Sequence, residues 1–385
     1  MALDLSGGAM DRLPGSRVLV WCERASWRVA GLELWRRAVY TACRAGFERM
    51  LIIADGEADA IRANLGGDPH LDGTQWEALS AADGWAQRVA HEGGRWVVFS
   101  DRWVVDAAHL RDLAETRGEP VAASPRGPLA ADADAVAALA AAGWKPARLP
   151  PREVRPLEVP PLYASVNTPA EVTAAEDALF ESLARNTTNL FSRYVDRAMS
   201  RAISRRLAPT DVTPNQITIF SIALGIVGAL CLLRPTYFFG LLGSFLFLAS
   251  TVIDGCDGEI ARLKFQESAE GAKLDVIGDN VVHAVLFPCL ALHVYLADPG
   301  GPYLWLGASC LLGVLASWAA VYFLKIQRAP SAAIDRFFEL FGNREFAYLL
   351  FLLGFVGRLD WFVWLMGVVI WVFPLGLFGL RCLGR

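Results

Sequence analysis

The sequence predicts two folds in series, an N-terminal α/β three-layer domain and a C-terminal all-α polytopic membrane domain of six transmembrane helices. Three observations predict this order. Short apolar runs alternate with helix-period stretches up to about residue 125; from Ile217 onward most residues fall into apolar blocks of membrane-spanning length; and basic residues collect in only some of the segments between those blocks. At 385 residues, 54% of them hydrophobic, the chain is too long for one ordinary domain and too apolar for a wholly soluble one.

In the first domain, taken as residues 1–125, "RVLVW" from Arg17, "MLIIAD" from Met50 and "WVVFSD" from Trp96 read as buried parallel strands that end in polar residues. "GLELWRRAVYTACRAGF" between the first two has helical periodicity, so βαβ units are expected. The Ala- and Pro-rich stretch 126–172 loses that regularity and is assigned as the end of the domain and a linker. Residues 173–210 are expected to form a charged amphipathic helix along the membrane interface, its arginines toward lipid phosphates.

The membrane domain is taken as 211–385. Its six apolar blocks lie at about 216–233, 236–253, 281–297, 303–324, 346–357 and 360–380, the fifth being short for a span. Arg-rich segments precede the first block, follow the second (Arg262, Lys264, Lys273) and join the fourth to the fifth (Lys325, Arg328, Arg336, Arg344). By the positive-inside rule these loops, both termini and the N-terminal domain are cytoplasmic, an assignment that an even number of spans allows. No basic and then apolar leader opens the chain, so no cleaved signal peptide is expected. The cysteines are odd in number and lack CxxC spacing, and they read as buried packing residues.

The chemistry is concentrated in "DGCDGEIARLKFQESAEGAKLDVIGD", Asp254 to Asp279. Carboxylates beside membrane-length apolar runs are costly, so each needs a partner or a function. Asp254 and Asp257, three apart, share one face of a helix that ends the second block; Asp275 and Asp279, four apart, share one face of the next. Two helices can therefore aim four carboxylates at one small volume. Such a group repels itself unless a cation intervenes, and hard oxygen donors suit Mg²⁺ or Mn²⁺. Gly255, Gly258 and Ala261 remove side-chain bulk nearby, and Arg262 offers a forked cation for a phosphate.

Asp254, Asp257-Gly258, Ala261-Arg262, Gly271, Asp275 and Asp279 match without gap the D-x2-D-G-x2-A-R-x8-G-x3-D-x3-D signature, and this part of the chain resembles the CDP-alcohol phosphotransferases. The resemblance runs over roughly 185–380 and includes "TPNQIT" from Thr213, similar to the P-N-x-x-T element that opens the family's first span. It implies that the four aspartates hold two divalent cations, Mg²⁺ or Mn²⁺, on a CDP-linked donor, and that Asp279 also takes the proton of the acceptor hydroxyl. Asn215, Gly258, Ala261, Arg262 and Gly271 would border the CDP moiety. A homodimer among membrane lipids, acting in phospholipid synthesis without nucleic acid, is likewise implied. The acceptor is a lipid or polar alcohol: CDP-diacylglycerol with a polar alcohol, and a soluble CDP-alcohol with a lipid alcohol, both remain open. Paired metals about 3.5–4 Å apart can stabilise charge building on phosphoryl oxygens as CMP leaves. A transporter or structural membrane protein with a polar pocket is the rival from another class.

The order of elements in the N-terminal domain looks like a sugar-phosphate nucleotidyltransferase, with Asp101 at the position of a metal-binding aspartate. The loop after the first strand reads "WCERASWRVAG", without the G-x-G-x-R and lysine that would cradle a triphosphate. A degenerate, inactive domain is therefore expected. The alternative is a bifunctional chain that makes its own CDP-alcohol, as in archaeal inositol-phosphate cytidylyltransferase fusions.

Overall fold

The computed structural model describes residues 12–23, 27–54, 58–116, 121–123, 127–143, 155–156, 163–185, 197–321 and 346–383. Lys325, Arg328, Arg336, Arg344, the serine-containing centre of "WCERASWRVAG" and the Asn186-Thr187-Thr188 sequon lie outside them. Two compact units result, one made essentially of residues up to Asn186 and one of the chain from Thr187 onward.

The first unit begins with β1 (Leu13–Cys22), a short hairpin β2 (Arg28–Val29) and β3 (Leu32–Glu33), α1 (Leu34–Arg44) and β4 (Phe47–Ala54). Then come α2 (Ala58–Leu65), β5 (Gln75–Ser80), α3 (Trp85–Glu92), β6 (Arg95–Ser100), β7 (Trp103–Val105) and α4 (Ala107–Glu115). The unit closes with β8 (Val121–Ala123), β9 (Leu129–Asp132), α5 (Ala133–Ala141), β10 (Arg155–Pro156), β11 (Tyr163–Ser165) and α6 (Pro169–Arg185). A seven-stranded sheet has the order β10-β8-β9-β6-β1-β4-β5, with β1 parallel to both β4 and β6. Alternation along β1 divides the core: Val18 and Val20 pack with α1, α2 and α4, while Leu19 and Trp21 pack with α3 and α5. The expected helices on both faces are present. Helix α1 is shorter than its periodic pattern, because Ala30 and Gly31 take positive φ (49° and 77°) and turn Leu32–Glu33 into a strand.

The segment 126–172, assigned as the end of the domain and a linker, contributes β9 to the sheet: it pairs antiparallel with β6, and its Ala130 and Ala131 are fully buried. Alanine is a poor strand former, and here small size against the sheet outweighs propensity. The assignment of 173–210 to the membrane interface is corrected over its first part. Helix α6 belongs to the first unit, where Ala175 and Phe180 are buried, and Glu176 Oε1 accepts a 2.8 Å hydrogen bond from Ala30 N–H. Amphipathicity shows that a face is buried, not what buries it.

Asp101, directly after β6, has no exposed surface. Its two carboxylate oxygens accept from Glu23 N–H at 3.2 Å each, and Ser100 Oγ stands 3.2 Å from Oδ1. Burial pushes its carboxyl from 3.8 up to about 6, against the pull of these hydrogen bonds. A raised carboxyl favours the folded state below about pH 4 and loses that advantage as pH rises through 6, leaving a cost of about 3 kcal/mol above it. Asp101→Asn keeps an acceptor for Glu23 N–H and removes the charge. Its melting midpoint should rise above that of the wild type at pH 7.5 and rise by clearly less at pH 4.5, where most of the cost is absent. Equal destabilisation at both pH values would contradict this account.

The second unit is helical. It comprises α7 (Arg197–Leu207), α8 (Pro214–Cys231), α9 (Tyr237–Lys264), α10 (Ala269–Ala297), α11 (Tyr303–Val321), α12 (Phe346–Val356), α13 (Leu359–Val369) and α14 (Val372–Leu383). Five stretches among the described residues are long and apolar enough to cross a membrane: α8, α9, α10, Tyr303–Ala320, and Leu359–Gly379, the last formed by α13 with α14. Helix α12, the fifth apolar block, is shorter than a span. The core joins α8 to α14's neighbours through Phe247 on α9, Leu286 and Leu290 on α10, and Phe362 on α13. Large apolar residues such as Phe238, Trp305, Phe355 and Trp361 remain exposed, as lipid-facing residues would. Among the described residues Cys22, Cys43, Cys231, Cys256, Cys289 and Cys310 form no disulfide.

Candidate active site

Three helix ends build the site. Helix α8 starts on a capping box, in which Thr213 accepts from Gln216 N–H and Gln216 Oε1 accepts from Thr213 N–H at 3.0 Å, with Pro214 in the first turn. This fixes Asn215 in that turn and puts Thr218 and Ser221 on the buried stripe of α8. Helix α9 runs through Asp254 and Asp257 to Lys264. After a turn at Phe265 (φ 58°), Ser268 caps α10 by accepting from Gly271 N–H at 3.0 Å. That cap starts α10 just ahead of Asp275 and Asp279.

Carboxylate oxygens of Asp254, Asp257 and Asp275 lie within 4.8 Å of one another. Asp254 is buried and the other two are half-buried. Asp279 is outside this triplet. It lines, with Asp254, a small adjoining pocket whose wall includes Ser221, Ser250, Thr251, His283 and Phe346. Two helices thus bring the predicted aspartates together, three as a possible ligand set and the fourth beside them.

Two residues support the aspartates: Ser221 carried no assignment from sequence, and Thr218 entered only as the last residue of the P-N-x-x-T element, with no role given to it. Ser221 Oγ donates to Asp254 Oδ1 at 3.0 Å, and Thr218 Oγ1 donates to Asp257 Oδ2. The other Asp257 oxygen accepts from Gly258 N–H. These bonds hold the carboxylates in fixed rotamers. The signal of Ser221, one hydroxyl on an apolar helix, is indistinguishable from ordinary polar filling of a span, whereas Thr218 had the P-N-x-x-T element to mark it.

The residues expected to border a nucleotide are near one another. A Cβ on Gly271 would stand 3.0 Å from Asn215 Oδ1, so the opening turns of α8 and α10 meet there. Arg262 folds back along α9: a Cβ on Gly258 would find its guanidinium at 3.6 Å and nothing closer. Ala261 is buried. His293 Nδ1 donates to Leu232 O (2.9 Å), and the ring is a buried packing residue. His283 sits among Phe247, Phe287 and Phe346.

Glycines 258 and 278 differ in a testable way. A Cβ on Gly278 would lie 2.1 Å from Ile222 Cδ1, so the glycine is needed for α8 and α10 to pack. Gly278→Ala should destabilise by about 1–3 kcal/mol through overpacking. Gly258 is under no such demand, and Gly258→Ala should stabilise α9 by up to about 1 kcal/mol. If the room at Gly258 serves a ligand, that variant should nonetheless lose activity. Thermal unfolding and turnover measured together check both; an active Gly258→Ala protein would remove the glycine from the site.

Residues 211–374 match the model of the CDP-alcohol phosphatidyltransferase family. Relatives carry the name "Bifunctional IPC transferase and DIPP synthase". The protein of that name from Aquifex aeolicus is 30% identical over 161 residues, 41% of this chain and 35% of its own length. That from Thermococcus kodakarensis is 34% identical over 130 residues, 34% of this chain and 29% of its own. That from Rubrobacter xylanophilus is 30% identical over 194 residues, 50% of this chain and 42% of its own. The matched stretches therefore span less than half the length of each of these relatives.

Proposed function

We propose that the chain is an integral membrane transferase that moves a phospho-alcohol from a CDP-linked donor to a hydroxyl acceptor and releases CMP, in phospholipid synthesis. The observation that carries this is the convergence of Asp254, Asp257 and Asp275 within 4.8 Å inside the region that matches the CDP-alcohol phosphatidyltransferase family. Three hard carboxylate donors, braced by Thr218 and Ser221, have the chemistry that Mg²⁺ or Mn²⁺ requires. Bound there, two such ions would supply positive charge for the donor's pyrophosphate. Asp279 would then be free to take the acceptor proton, which its place beside the triplet supports. Arg262 over Gly258 would face a phosphate, with Asn215, Ala261 and Gly271 bordering the nucleotide. The donor is CDP-diacylglycerol or a soluble CDP-alcohol, and the acceptor correspondingly a polar or a lipid alcohol.

Six spans are part of this reading, with α12 crossing the membrane together with flanking residues. The basic segments around Arg262 and Lys273 then face the cytoplasm with the catalytic residues. A homodimer rests on family resemblance alone. The N-terminal domain is read as a degenerate nucleotidyltransferase, supported by Asp101, whose carboxylate oxygens are buried and turned to Glu23 N–H. The names of the relatives favour a second reading, a bifunctional chain that also forms a CDP-alcohol.

The test is CMP release by purified full-length protein against a panel of CDP-alcohols and CDP-diacylglycerol, with paired acceptors. Release dependent on one donor and acceptor supports the transferase; none with any pair argues for the transporter or structural alternative. CTP-dependent pyrophosphate release that is lost in Asp101→Ala would establish the bifunctional reading.

A further inference from the structure

Glu259 has no exposed surface, although it lies within the aspartate segment and carries a carboxylate. It is two residues from Asp257 and five from Asp254, so it leaves α9 on the side opposite both. There it meets α7. Ser200 Oγ donates to Glu259 Oε1 at 2.8 Å, and the Cys256 thiol, one turn back on the same face, lies 3.5 Å from Ser200 O. Ser200 is itself 2% exposed. A Cβ on Gly255 would meet Ser200 Cβ at 3.8 Å, ordinary van der Waals contact, so α7 lies against this face of α9.

We propose that Glu259 is a positioning residue for the metal site, and that its hydrogen bond with Ser200 fixes the rotation of α9 about its own axis. The proposal rests on the metal reading of Asp254, Asp257 and Asp275. Its physical basis is leverage. Side-chain ends lie about 5–6 Å from a helix axis, so a rotation of about 10° carries a carboxylate about 1 Å. Metal–oxygen distances tolerate about 0.2 Å. On the metal side, Thr218 and Ser221 tie the aspartates of α9 to α8. On the opposite side, the bond from α7 gives a second point of attachment, and two points on opposite faces define an orientation. A buried carboxylate contributes little to stability compared with an apolar residue of similar size, so its presence here asks for a role in specificity of geometry.

Ser204 provides the internal comparison. It is fully buried one turn beyond Ser200 on α7, and its hydroxyl has no hydrogen-bond partner among the described residues. The same face of α7 thus carries one serine that reaches α9 through a hydrogen bond and one that does not.

The experiment uses full-length protein in lipid nanodiscs, with Mn²⁺ as the probe, its binding followed by calorimetry and its ligand field by electron paramagnetic resonance. Glu259→Leu should lower Mn²⁺ affinity about tenfold or more and alter the Mn²⁺ spectrum, with little change in melting midpoint. Glu259→Gln, whose amide oxygen still accepts from Ser200, should stay within about threefold of wild type. Ser200→Ala should weaken binding in the same direction, Ser200→Thr should restore it, and Ser204→Ala should leave it unchanged. Should Glu259→Leu fail to fold, the Ser200 pair decides the matter. Wild-type Mn²⁺ affinity in Glu259→Leu or in Ser200→Ala would overturn the proposal, as would equal loss in the leucine and glutamine variants. If Mn²⁺ binding to the wild type is itself insensitive to Asp257→Asn, the metal reading fails first, and the two failures are told apart by that control.

Discussion

Asp279→Asn is expected to reduce CMP release by at least about a hundredfold while Mn²⁺ binding stays near the wild-type level. Removing a positioned general base costs typically 10²–10⁴-fold, because an amide nitrogen cannot accept the proton that leaves the attacking hydroxyl. Metal binding should survive because the carboxylates that converge within 4.8 Å are those of Asp254, Asp257 and Asp275. Asp279 stands in the adjoining pocket, near His283. Turnover and Mn²⁺ calorimetry on the same preparation separate the two effects. Activity within tenfold of wild type would remove Asp279 as the base; loss of metal binding would make it chiefly a ligand.

Asp257→Asn should show the opposite division, weakening Mn²⁺ binding itself by about 10–100-fold and lowering turnover as a consequence. Both oxygens of Asp257 are already oriented, one by Thr218 Oγ1 and one by Gly258 N–H, and an amide can satisfy only one of those donors with its single oxygen. The variant therefore loses a charge and disturbs the bond that set its direction. Turnover should recover in part at high Mn²⁺ concentration, which would not happen for Asp279→Asn. Unchanged Mn²⁺ affinity would show that the ligand set is wrong.

The aspartates were legible because helical spacing is arithmetic: residues three and four apart share a face wherever the helix ends up. Their supports were not, since Thr218 and Ser221 lie in a run whose hydroxyls could as well have bonded their own backbone, as Ser244 and Ser250 do. The same limit explains Glu259. It carried no assignment from sequence, and only the packing of α7 against α9 shows it buried.

The fold followed a similar division. Buried strands of Val, Leu and Ile announced the parallel sheet, and continuous apolar runs announced the spans. The alanines of β9 carried no such signal, and the amphipathic pattern of α6 could not distinguish a lipid surface from a protein sheet. Asp101 was visible at a strand end, yet whether its oxygens face solvent or Glu23 N–H depends on a contact between residues 78 positions apart.

The most direct measurement is CMP release from a CDP-linked donor by the wild-type protein and Asp257→Asn as free Mg²⁺ is titrated from an EDTA-quenched start. Release that is absent in EDTA, returns with Mg²⁺, and needs a higher Mg²⁺ concentration in the variant is the result this account predicts. CMP release that persists in EDTA, or that responds identically to Mg²⁺ in both proteins, would contradict it.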